Sequence, residues 1–122
     1  MKTIYNTTIT QIGPMAAQLL DEQMLILFKE GAPEDLAEFC FLHQINDLKE
    51  PIQPEDILMI DGQTFKVTAV GSAVNQNLDN LGHITLKFTG ENSADLPGTL
   101  VLEIGKINEI QVGSSLEIVR KS

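Results

Sequence analysis

A chain of 122 residues, 43% hydrophobic and 20% charged, has the composition of a single globular domain spanning 1–122 and is too short to hold two comfortable cores. Eight basic residues against seventeen acidic ones leave a net charge of −9, which repels nucleic acid and anionic membrane and favours a partner with a basic face. One cysteine and two histidines exclude an internal disulfide framework and cannot complete a closed zinc site, so neither metal nor cofactor is expected.

The N-terminal MKTIYNTTIT lacks the apolar core of a signal peptide, and the run MLILF at 24–28 ends at Lys29 and Glu30. A soluble, cytoplasmic chain with no membrane insertion is therefore expected. The first strand candidate is TIYNTTITQI, closed by Gly13-Pro14. MAAQLLDE at 15–22 offers a short helix, and QMLILFKE at 23–30 a second strand. Pro33 to Glu38 predicts one or two helical turns, with proline suited to the first helical position and acids in the first turn. The strand candidate FCFLHQI follows and gives way to the polar stretch Gln44 to Glu50.

ILMI at 57–60 and TFKVTAV at 64–70 flank Asp61-Gly62, a pair that accepts the positive φ angles of a tight hairpin. A helix is predicted from Ser72 as N-cap through AVNQNLDNL to Gly82. ITLKF at 84–88 alternates apolar and polar residues as a half-buried strand does, and TLVLEI at 99–104 and SLEIVR at 115–120 complete the series. About seven short strands between turn signals, with one or two short helices, predict a mainly β fold: a small antiparallel barrel, closed or partly open, with a sandwich as the rival.

His43 shares the strand parity of Phe39 and Phe41, which suits a half-buried histidine satisfied by a carbonyl. It also ends an apolar strand, where one ring nitrogen can be held while the other faces solvent. The residues leave both readings open. Cys40 lies an odd number of positions from His43, so the two face opposite ways, and a buried inert thiol is expected. His83 falls on the outward parity of Thr85 and Lys87 and is a candidate donor to a phosphate. Gly71 and Ser72, at a helix start, are either an ordinary cap or a source of free N–H groups for an anion. No GxSxG, Walker A or GxGxxG motif is present, so hydrolase and nucleotide-binding readings lack support.

Long stretches of the chain resemble the glucitol/sorbitol-specific IIA components of the sugar phosphotransferase system. They are TTIT-Q-IG at 7–13, QMLILFKEGAPEDLAEFCFLH at 23–43, VTAVGSAVNQNLDNLGHITLKF at 67–88 and PGTLVL at 97–102. The resemblance implies a phosphoryl carrier. A histidine would accept the group from phospho-HPr and pass it to the IIB cysteine of the sorbitol permease, whose IIB and IIC components would be partners. It implies that His43 is the reactive residue. Some relatives carry a second histidine two places later, where this chain has Ile45. His83, Gly71 and Ser72 would then be stabilisers of the phosphate. This reading needs a His43 ring that a visiting protein can reach, and truncating a surface nucleophile should alter stability little. The alternative is a β-barrel binding module in which His43 is structural.

Overall fold

The period-two runs become strands in the computed structural model, which describes residues 1–44 and 46–121. In chain order they are β1 (Lys2–Ile12), β2 (Met24–Lys29), β3 (Phe41–His43), β4 (Ile57–Ile60), β5 (Gln63–Val70), β6 (Ile84–Lys87), β7 (Thr99–Leu102) and β8 (Ser115–Arg120). Three short helices interrupt them: α1 (Ala16–Leu20), α2 (Glu34–Ala37) and α3 (Val74–Leu81). The strands close in the order β1-β3-β2-β6-β7-β5-β4-β8. The mainly β barrel is thus as expected, complete rather than open, with eight strands where about seven were anticipated.

Two contacts depart from the antiparallel expectation. β2 and β3 run parallel, as do β6 and β7. Parallel neighbours require a crossover rather than a hairpin, and the segment carrying α2 and the long connection after β6 supply them. The Asp61-Gly62 turn joins β4 to β5 as predicted, with φ of 47° and 88°.

Alternation sends Leu25, Leu27, Phe41, Ile84 and Leu86 into the barrel core. Phe28, Cys40 and Leu42 point the other way and form a small second cluster on the outer face. α3 contributes Val74 and Leu78 to the main core and lies across one end of the barrel. Asn75 and Asp79 hold it there by accepting hydrogen bonds from the backbone N–H groups of Ile52 and Leu48. β3 is shorter than the predicted FCFLHQI, and the strand candidate's last residue, Ile45, lies outside the described residues. No helix among the described residues is long and apolar enough to cross a membrane.

Candidate functional site

Pairing between β2 and β3 aligns Leu27 with Phe41 and Lys29 with His43. His43 therefore continues the inward parity of Phe41 and enters the barrel at the end covered by α3. The ring is buried, with 0% exposure, so the solvent-facing position anticipated for a strand end is not what the fold provides. Nε2 lies 2.8 Å from the carbonyl oxygen of Gly82. A carbonyl only accepts, so this nitrogen carries the hydrogen. Nδ1 lies 3.1 Å from Thr7 Oγ1 and 3.0 Å from the Gln44 carbonyl oxygen. Thr7 can donate its hydroxyl hydrogen to Nδ1 or, over 2.8 Å, to Gln44. A neutral ring can donate to only one of the two carbonyls; with its hydrogen on Nε2 for the shorter Gly82 contact, the Nδ1 lone pair accepts from the Thr7 hydroxyl and the Gln44 carbonyl receives no hydrogen from the ring.

Burial alters one expectation directly. Removing His43 would leave the Gly82 carbonyl and Thr7 without their partner, which costs about 1–3 kcal/mol whether or not the ring is reactive. Stability therefore cannot separate a structural histidine from a reactive one, because the barrel end encloses the ring.

His83 follows Gly82 but emerges on the outer face, as its parity predicted. It stacks on Phe28 at 4.4 Å between centroids and donates from Nδ1 to the Leu27 carbonyl oxygen at 3.0 Å. The two histidines are thus joined through one glycine, yet no bond between their rings is formed among the described residues. Gly71 and Ser72 lie at the opposite end of α3, whose eight residues measure about 12 Å along the axis. Their role as phosphate donors beside His43 is unsupported. The N–H of Gly71 is taken by Thr99 and that of Ala73 by Pro97, and the N-cap is Ala73 rather than Ser72. A Cβ on Gly71 would meet the Pro97 carbonyl oxygen at 2.3 Å, which gives the glycine a packing reason to be there.

Four residues around His43 were not singled out by the sequence. Thr7 is one polar residue in a strand of several, and only its register beside His43 reveals it. Gly82 has φ of 61°, and a Cβ there would stand 3.0 Å from both Nε2 and Cε1 of His43, so a helix-ending glycine is also the cover of the ring. Lys29 is aligned with His43, and no ion pair holds it among the described residues. Tyr5 sets its ring edge-on to His43 at 6.4 Å. The Tyr5 hydroxyl is buried without a well-formed hydrogen bond among the described residues. Burial pushes the phenol pKa up; the nearby Asn46 backbone N–H opposes this and the Asp79 carboxylate adds to it.

Cys40 is buried on the outer face and donates Sγ–H to the Leu36 carbonyl over 3.1 Å, with burial pushing its thiol up, in line with an inert thiol. No cluster of three or more metal-ligating side chains occurs among the described residues.

A family model described as the glucitol/sorbitol-specific IIA component of the phosphotransferase system matches residues 4–117. Glucitol/sorbitol-specific EIIA components of Escherichia coli K12 and Shigella flexneri are each 45% identical to the chain over 117 residues, covering 96% of it and 95% of theirs. The crystal structure of a phosphotransferase-system IIA component from Enterococcus faecalis V583 superposes with a TM-score of 0.83 at 25% identity, covering 95% of this chain and all of that one.

Proposed function

Because the chain belongs to the glucitol/sorbitol-specific IIA component family of the phosphotransferase system, we propose that it is a phosphoryl carrier that accepts the group from phospho-HPr on His43 and delivers it to the IIB cysteine of a sorbitol permease. The full-length family match carries the reading. On this reading the protein is a cytoplasmic partner of the permease, with no substrate pocket of its own required, since the sugar never reaches this component.

The chemistry asked of His43 is modest. Transfer between imidazoles passes through a loose transition state, so the protein must align donor nitrogen, phosphorus and acceptor nitrogen and tolerate charge on the equatorial oxygens. With Nε2–H tied to Gly82, the nucleophilic lone pair belongs to Nδ1. Turning the Thr7 hydroxyl from Nδ1 to the Gln44 carbonyl uncovers that lone pair without breaking the ring's other anchor. The enclosed ring also requires the barrel end over Nδ1 to open when a carrier docks.

That enclosure is the observation favouring a second reading, a barrel module in which His43 is only structural. Incubation with phosphoenolpyruvate, enzyme I and HPr separates the two. The carrier reading expects acid-labile phosphate on the peptide containing His43, as the Nδ1-phosphohistidine isomer, and none on that peptide in a His43→Gln variant. A folded wild-type protein that takes up no phosphate would sink it.

A further inference from the structure

Of the two imidazoles, it is His83 that meets every local requirement of an accessible nucleophile. Its Nδ1 faces the Leu27 carbonyl oxygen at 3.0 Å, and since a carbonyl only accepts, Nδ1 carries the hydrogen and the lone pair is fixed on Nε2. Nε2 has no hydrogen-bond partner among the described residues, and the half-buried ring does not count among the side chains with sealed, unsatisfied atoms. Phe28, itself buried, braces one face of the ring at 4.4 Å with planes 28° apart. The imidazole is therefore held in one tautomer and one orientation before any partner arrives.

The space in front of it is built for a visitor. His83 and Thr85 line an open groove of about 400 Å³ whose other walls include Ile26, Leu36 and Phe39. Leu36 and Phe39 are 47% and 38% exposed, large apolar side chains left at the rim where a protein surface would cover them. The helix whose Leu36 lines this groove carries, with its C-terminal flank, the exposed Glu34, Asp35 and Glu38, and the chain's net charge is −9, which suits a donor with a basic surround.

We propose that His83 is a second phosphoryl-accepting histidine, reached through this groove by the phosphohistidine of the donor protein. The proposal rests on the carrier reading above and adds a site to it. In the transfer, the bond from phosphorus to the donor's imidazole nitrogen breaks as the bond to Nε2 of His83 forms. The donor nitrogen recovers its lone pair as Nε2 spends its own, and the hydrogen stays on Nδ1, bonded to the Leu27 carbonyl oxygen, throughout. No base, metal or further reactant enters.

Phosphorylation of the intact chain by phosphoenolpyruvate, enzyme I and HPr, followed by digestion at alkaline pH and mass mapping, tests it. The expected result is one phosphate on the peptide containing His83, as the Nε2 isomer, in the wild type and in His43→Gln. In His83→Gln that phosphate is lost while the His43 peptide keeps its own. Phosphate confined to the His43 peptide of the wild type would overturn the proposal and leave the carrier reading intact. A folded wild type with no phosphate anywhere would overturn both. Should His43→Gln fail to fold, the wild-type map and His83→Gln, which alters a half-buried outer-face residue, decide the matter alone.

Discussion

Thr7 illustrates how one hydroxyl can set the state of a neighbouring ring. Its oxygen stands between Nδ1 of His43 and the Gln44 carbonyl, within bonding distance of each. Replacing it with valine keeps the shape but removes the donor, leaving Nδ1 to face a methyl group. Thr7→Val should lower the free energy of unfolding by about 1 kcal/mol in urea titration and slow labelling of His43, while Thr7→Ser restores both. If Thr7→Val labels at the wild-type rate, the hydroxyl does not position the ring. None of this was visible in the sequence, where TTIT offers three threonines of equal standing. His43 itself was legible as an inward-parity residue at a strand end. Its degree of enclosure was not, because that depends on Gly82, which is 39 residues away and brought over the ring by α3.

At the scale of elements, α3 does two jobs that its sequence advertised unevenly. The SAVNQNLDNLG pattern identified a helix ending in a left-handed glycine, and Gly82 adopts that conformation. The start of α3 was misjudged because a glycine and a serine look like a cap, whereas the Leu96–Thr99 segment crosses there and takes the N–H groups of Gly71 and Ala73. Gly71→Ala should accordingly destabilise the protein by about 1–3 kcal/mol, the usual range for overpacking, because backbone carbonyls rather than a movable side chain meet the new methyl group. A thermal melt of Gly71→Ala equal to that of the wild type would show that the 96–97 backbone yields easily. Phosphate uptake should persist in the folded fraction, since Gly71 lies at the far end of α3 from both histidines. Alternation made the strands legible. Their order was not, because parallel neighbours are set by crossovers whose direction no local pattern records.

For the whole molecule, the excess of acid becomes a mechanistic quantity once the barrel has fixed where the acids lie. Glu34, Asp35 and Glu38 are exposed on α2 and its C-terminal flank, the segment whose Leu36 lines the His83 groove, on a chain of net charge −9. A carrier that visits and leaves gains more from fast encounter than from tight binding, and complementary charge raises the encounter rate over distances that salt shortens. The second-order rate of labelling by phospho-HPr should therefore fall about tenfold or more between about 0.02 M and about 0.5 M salt, the range over which the screening length shrinks several-fold. The paired reversal Glu34→Lys with Glu38→Lys should lower the low-salt rate and flatten this dependence, leaving the melting temperature nearly unchanged because both side chains are exposed. Stopped quench-flow measurement of phosphate uptake at several salt concentrations reads both effects. A rate indifferent to salt in the wild type would mean that the acidity serves solubility alone; a salt-dependent rate that the α2 reversals leave untouched would move the donor's approach to another face of the barrel.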